Sequence, residues 1–137
     1  MKKRTPVSAI MTANPISVNL SNSVSDIAQV FKERNIHHIP VVSGSSLIGM
    51  VSKTDMDRIS FVSDFQDEKA NTSIYESLEI QQVMTKQVET VQIDDQIKEA
   101  AELLARGRYH ALPVMEGEDL KGIVTSTDVI NYLLEQY

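Results

Sequence analysis

Two heptapeptides carry the side chains best suited to meet a ligand: Gly49-Met50-Val51-Ser52-Lys53-Thr54-Asp55 and Gly122-Ile123-Val124-Thr125-Ser126-Thr127-Asp128. Each ends an apolar run with hydroxyls and a carboxylate, near Thr54 or Thr127, where a helix is expected to begin. Two kinds of chemistry use such a pattern. In one, Thr54 and Thr127 cap the helix by accepting from first-turn N–H groups, while Asp55 and Asp128 favour the positive end of the helix dipole. In the other, N–H groups and a hydroxyl at the helix start hold a phosphate, and the neighbouring carboxylate accepts from both hydroxyls of a ribose. Phosphate and ribose together make a nucleotide. Both readings stay open.

A second repeated element, His37-His38-Ile39-Pro40-Val41 and His110-Ala111-Leu112-Pro113-Val114, leads into an apolar run, with the proline read as lying at the start of a strand. Three histidines suggest a metal, but consecutive His37 and His38 in an extended segment face opposite ways, and no carboxylate stands at a ligand spacing. No metal site is expected. Asp94-Asp95 resemble paired acids, yet their position before an amphipathic segment fits helix capping better. Nucleophile elbows, zinc-protease motifs and phosphate-binding glycine loops are absent from the sequence. A non-catalytic chain is expected.

These pairs recur because the chain is written twice. An offset of 73 residues superposes Val7 to Ser60 on Ile80 to Leu133 without a gap, with identities that include Met11/Met84, Thr12/Thr85, His37/His110, Pro40/Pro113, Gly49/Gly122 and Asp55/Asp128. Within each copy the apolar spacing changes in one order. A short apolar turn precedes a brief strand, over Ile16 to Leu20 or Glu89 to Ile93. An amphipathic helix follows, with Val24, Ile27, Ala28 and Phe31, or Ile97, Ala100, Ala101 and Leu104, on one face. Ser23 with Asp26, and Asp94 with Asp95, are the expected caps. Two apolar runs split by a glycine-containing turn then read as a β-hairpin, and a second helix closes the copy. The order is β-α-β-β-α, a mixed α/β (α+β) class. About 55 residues bury too little surface to stand alone comfortably, so the two copies are expected to form one pseudo-symmetric body. The boundaries are 1–62 for the first copy, 63–79 for a polar connection and 80–137 for the second.

The 137 residues carry 13 Lys and Arg against 19 Asp and Glu, a net charge of −6. That balance disfavours nucleic-acid binding, and the basic triplet Lys2, Lys3, Arg4 is too short to reverse it. No run approaches the roughly 18 apolar residues of a membrane span, and the basic start lacks the apolar stretch of a signal peptide. The absence of cysteine excludes disulfides and thiolate metal sites and suits the cytoplasm.

The doubled Ile10-Met11-Thr12 and Val83-Met84-Thr85 opening, the His-x-x-Pro-Val strand and the Gly-h-Val-[Ser/Thr]-x-x-Asp ending occur in order in both copies. Together they resemble the tandem cystathionine-β-synthase (CBS) domain pair, or Bateman module, from about Val7 to Tyr137. The resemblance implies two pseudo-twofold-related βαββα units packed sheet to sheet, with inter-repeat clefts that take adenosine-containing ligands such as AMP, ADP, ATP or S-adenosylmethionine. Carried over by position, Asp55 and Asp128 would hold ribose hydroxyls, and Ser52 and Thr125 would contact phosphate. Ile16, Ser17, Glu89 and Thr90 would line the adenine. The segments Ile36 to Pro40, with His37 and His38, and Tyr109 to Pro113, with His110, would close the ribose side. Basic residues nearby, Lys53, Arg34 and Arg58 for one cleft and Arg106, Arg108 and Lys121 for the other, are placed either to meet phosphates or to stand as solvated surface charges, and the Arg106/Arg108 pair favours the cleft with Thr125 and Asp128. Glu89 departs from the apolar packing expected of an adenine neighbour, so the two clefts need not be equivalent. The resemblance further implies a regulatory module with no required cofactor, a homodimer and a separate regulated protein. The dimer seam would draw on Met56, Ile59, Val129, Ile130, Leu133 and Leu134, which core packing could equally claim. A ligand-free dimeric scaffold, in which the polar residues only cap helices, is the alternative.

Overall fold

The computed structural model of the chain describes residues 4–62 and 75–137. Most of the 63–79 connection therefore lies outside the described residues. The chain divides into two compact units that do not follow the order of the copies: Ile16–Gln87 forms one, and Met1–Pro15 with Val88–Tyr137 forms the other. Each copy's opening segment is thus built into the unit that holds the rest of the other copy.

In the Ile16–Gln87 unit, α1 (Val24–Glu33) precedes a hairpin of β2 (His38–Ser43) and β3 (Ser46–Ser52), followed by α2 (Lys53–Val62). Gly44 alone takes a positive φ, +63°, in the two-residue turn, as the first position of a II′ turn requires. In the other unit, β5 (Ala111–Glu116) and β6 (Asp119–Thr125) form the equivalent hairpin between α4 (Ile97–Ala105) and α5 (Ser126–Glu135). The strand expected over Ile16 to Leu20 shrinks to Val18, whose N–H donates to Pro40 O at 3.0 Å and whose carbonyl accepts from Val42 N–H at 2.8 Å. Asn19 ends it: its side-chain oxygen accepts from Ser21 N–H, and its own N–H turns to Asn22 Oδ1, both at 2.9 Å. Its counterpart, β4 (Val91–Gln92), runs parallel to β5 and is stopped when Asp95 Oδ2 captures Gln92 N–H at 2.8 Å.

Opening segments complete both ladders. β1 (Thr12–Ala13) pairs antiparallel with Ile123 and Gly122 of β6. The second copy repeats this at the same offset, with Thr85 and Met50 exchanging backbone bonds of 3.1 and 2.8 Å. Gly122 and Gly49 permit the approach. A Cβ on either would stand 2.5 Å from the sulfur of Met11 or Met84 respectively. The repeated Met-Thr and glycine motifs are therefore partners across each unit, which gives them a packing role.

The cores repeat as well. Val18, Ile27, Phe31, Ile39, Val41 and Val51 are buried with Ile80, which opens α3 (Ile80–Val83); Val91, Ala100, Leu104, Leu112, Val114 and Val124 are buried with Val7. Ile80 and Val7 are the residues contributed by the exchanged segments. Pro40 and Pro113 are fully buried at the third position of β2 and β5, deeper than the strand start expected. The ladder register shifts just beyond each, between Val41 and Val42 and between Val114 and Met115. Such an irregularity helps a sheet accommodate a residue without an N–H.

Helix caps fall partly where expected. Ser23 and Asp26 form a reciprocal box at α1, with bonds of 2.9 and 3.0 Å. The Ser23 backbone N–H, and then the Asn22 amide, hold the Asp26 carboxyl below the ordinary aspartate range. At α4 the expectation fails: Asp95 closes the preceding turn, and the helix begins at Ile97 with Gln96 as its N-cap, whose N–H donates to Glu99 at 3.3 Å. The carboxylate belongs one turn later than Asp94-Asp95 because the turn claims Asp95 first.

Candidate functional site

The hydroxyl and carboxylate repeats start α2 and α5. Ser52 N–H donates to Asp55 Oδ2 at 2.9 Å, and Asp55 N–H donates back to Ser52 Oγ at 3.1 Å. Thr125 and Asp128 make the same pair of bonds at 2.8 and 3.1 Å. Ser52 and Thr125 are thus the N-caps, and Asp55 and Asp128 are the third helical residues of two capping boxes. Thr54 and Thr127, expected to cap, lie inside the first turn and are exposed. Their hydroxyls are too far along the helix to reach its first free N–H groups.

Capping occupies only part of each carboxylate. An ionised aspartate offers about four lone-pair directions, and the box uses one on Oδ2. The second oxygen differs between copies. Asp55 Oδ1 lies 3.8 Å from the largely exposed Arg58 guanidinium, a contact of small worth in solvent. Asp128 Oδ1 has no partner among the described residues, and Asn131 occupies the position equivalent to Arg58.

Each box is tied to its histidine segment. His37 O accepts from Lys53 N–H at 2.8 Å, and His110 O accepts from Ser126 N–H at 3.0 Å. Both histidine rings are exposed, whereas His38 is half-buried opposite Ser52. The hairpin and the helix start are thereby locked side by side, which sets His110 beside Thr125 and His37 beside Ser52. The buried Pro40 and Pro113 rings lie within the cores.

A cavity of about 320 Å³ lies in the unit that holds most of the second copy, lined by Glu89, Leu103, Arg106, Arg108 and Tyr109. Three of these, Glu89, Arg108 and Tyr109, are expected site residues. Arg106, like Arg108, is an expected phosphate contact, and both are exposed. Leu103 was missed, since its half-buried position on α4 reads as the margin of a core face. Tyr109 connects the cavity to His110 and hence to the first turn of α5. Thr90 is half-buried beside Glu89, while Ile16 and Ser17 are exposed on the corresponding stretch of the first copy. Thr125, Asp128, His110 and Pro113 do not line the cavity itself.

Arg106 and Arg108 are exposed and Glu89 is half-buried. Among the described residues, ion pairs join Asp55 to Arg58 and Lys98 to Glu102; Glu89, Arg106 and Arg108 join neither each other nor any other group. Two cations and one anion therefore face the same space. The described residues contain no group of three His, Asp or Glu side chains able to hold a metal, and no described helix is long and apolar enough to cross a membrane.

Comparison with known proteins places this geometry in context. The family model described as CBS domain matches residues 7–60 and 80–135. The chain is 34% identical over 122 residues to a homoserine O-acetyltransferase of Methanocorpusculum labreanum, covering 88% of this chain and 22% of that protein. It thus spans about a fifth of that relative's length. Among solved structures, CBSX2 in complex with AMP aligns with a TM-score of 0.78 and 26% identity, over 96% of this chain and 97% of that one. The CBS domain pair of MJ0100 from a complex with 5′-methylthioadenosine and S-adenosyl-L-methionine shares the fold, with a TM-score of 0.80 and 22% identity over 97% and 98% of the two chains.

Proposed function

The chain belongs to the CBS domain family, and from that premise we propose that it is a non-catalytic regulatory module that binds an adenosine-containing ligand and signals the bound state to a partner protein. The observation that carries this reading is the backbone link from Tyr109, which lines the cavity, through His110, whose carbonyl accepts from Ser126 N–H, to the capping box of Thr125 and Asp128, where Asp128 Oδ1 has no partner among the described residues. Its chemistry suits a ribose at the carboxylate and a phosphate among the arginines. The AMP complex of CBSX2, a relative at 26% identity, supports the choice of ligand class. A ligand regulates such a module only by binding one conformation better than another.

Self-association belongs to the same reading. α5 buries none of its residues, and Ile130, Leu133 and Leu134 are exposed along it. Met56, by contrast, is buried in its own core, and Ile59 and Val129 pack against theirs. Ile130, Leu133 and Leu134 supply the seam of a homodimer, and Met56, Ile59 and Val129 are withdrawn from it. Acidic net charge argues against a nucleic-acid partner, and the cytoplasm is the compartment we assign. The ligand-free scaffold is favoured by one observation, that each box already satisfies its helix start.

A thermal-shift titration separates the two. Ligand at about 100 times its dissociation constant adds about 2.7 kcal/mol to the native state. We expect AMP, ADP, ATP or S-adenosylmethionine to raise the melting temperature by several degrees and Asp128→Asn to remove most of the rise. No shift with any of the four would contradict the ligand-binding reading and favour the scaffold.

A further inference from the structure

We propose that residues 5–13, the first copy's opening segment, form an exchangeable arm, and that the groove it fills also takes the arm of a second copy of this chain, giving a reciprocal arm-exchanged dimer. The groove belongs to the unit of Met1–Pro15 and Val88–Tyr137. Its rim is backbone. Ile97 N–H donates to Thr5 O at 2.9 Å, and Asp95 O and Ile93 O accept from the N–H groups of Val7 and Ser8 at 2.7 and 3.3 Å. β1 then pairs with Ile123 and Gly122. Side chains fix the arm at three points. Val7 is fully buried in the core, Met11 covers Gly122, and Thr5 Oγ1 accepts from the Tyr132 hydroxyl at 3.1 Å. An identical arm from another chain makes every one of these contacts. Exchange therefore neither adds nor removes a contact in the groove, and the short connection leaving the arm decides between the closed and the exchanged form.

The closed form holds its arm at a high effective concentration, so exchange grows with protein concentration and needs a counterweight at the hinge. Asn14 supplies it. This residue follows β1, donates its N–H to Lys121 O at 3.1 Å, and takes a φ of +49°, the one positive value at a non-glycine position among the described residues. Asparagine tolerates the left-handed region better than most side chains. Pro15, however, crowds the residue before it and favours an extended Asn14, and it is the last residue of the unit before the chain passes to Ile16–Gln87. Closing the arm onto its own groove thus works against the preference of its hinge, the condition that invites exchange. An extended Asn14 presents the arm outward instead. The second copy has Gln87 and Val88 at the equivalent positions, and Gln87 has no positive φ. The tension is confined to the first arm. None of Ile130, Leu133 and Leu134 takes part, so the exchanged interface is distinct from the α5 seam.

The chain has no cysteine, so introduced thiols report the exchange without interference. Thr12 and Ile123 are Cα partners across β1 and β6, a separation that a disulfide spans. A full-length Thr12→Cys chain is mixed with a full-length Ile123→Cys chain carrying a mass tag, incubated at low and high protein concentration, oxidised, and resolved by mass spectrometry without reductant. A covalent dimer of one tagged and one untagged chain is expected, with a yield that rises with concentration. Asn14→Gly in both chains is expected to lower that yield by about fivefold or more, because glycine takes the left-handed conformation without strain. Absence of the mixed dimer at every concentration would overturn exchange, and an unchanged yield with Asn14→Gly would overturn the role of the hinge. Ile123 is buried, so a second measurement covers failure of its variant to fold. In the full chain with Ile130→Glu/Leu133→Glu/Leu134→Glu, which removes the α5 seam, light scattering after concentration and rapid dilution is expected to show a dimer that decays slowly and is about fivefold or more scarcer with Asn14→Gly added. A monomer throughout, or a dimer indifferent to Asn14→Gly, would overturn the proposal.

Discussion

Truncation of Leu112 to Ala lowers the unfolding free energy by about 2–5 kcal/mol, the range for deleting a fully buried aliphatic side chain whose cavity only partly collapses. Leu112 has no solvent exposure and belongs to the core formed with Val7, Val91, Leu104, Val114 and Val124. Its strand follows directly from Tyr109 and His110, so the same packing holds the segment that joins the cavity to the start of α5. A loss of this size is a large fraction of the roughly 5–15 kcal/mol that stabilises an ordinary domain. Urea titration reads it as a fall in midpoint with unchanged slope. A change below 1 kcal/mol would mean that β5 is not packed as described.

A second large loss is expected for Gly122→Ala, about 1–3 kcal/mol, from overpacking. The added Cβ would lie 2.5 Å from Met11 Sδ and 2.8 Å from Thr12 O. A flexible thioether can yield, but the Thr12 carbonyl belongs to β1 and is fixed by its pairing with Ile123 and Gly122. The double variant Met11→Ala/Gly122→Ala therefore stays less stable than Met11→Ala alone. Full recovery in the double variant, measured by the same urea titration, would show that the side chain alone sets the limit. The test bears on the exchange of opening segments, because Met11 reaches Gly122 only if the first copy's opening is built into the second copy's unit.

Much of this architecture is legible in the sequence, for a physical reason. The 73-residue offset, the helix faces and both hairpins follow from local periodicity and turn chemistry, which depend on neighbours within a few residues. The cap positions are less so. Ser52, Thr54, Thr125 and Thr127 are all residue types that cap; in the second copy Thr125 alone has a carboxylate three residues on, since Ile130 follows Thr127 at that spacing, but in the first copy Asp55 and Asp57 stand three residues after Ser52 and Thr54 alike, so local spacing does not single out Ser52. The turn that takes Asp95 from α4 is likewise decided by which N–H lies nearest. Segment exchange escapes a local reading altogether, although the paired identities Met11/Met84 and Gly49/Gly122 carry its trace. In the site, Glu89, Arg106, Arg108 and Tyr109 are visible in the sequence, whereas the place of Leu103 in the same cavity depends on how α4 packs within its unit.

The central claim is that an adenosine-containing ligand binds along the run from Glu89 through Tyr109 and His110 to Thr125 and Asp128. Backbone amide NMR of the full chain, with and without saturating AMP, tests it most directly. The account predicts saturable shifts concentrated at Glu89, Arg108 to His110 and Thr125 to Asp128, reduced in Asp128→Asn. An unchanged spectrum, or shifts confined to other residues, would contradict it.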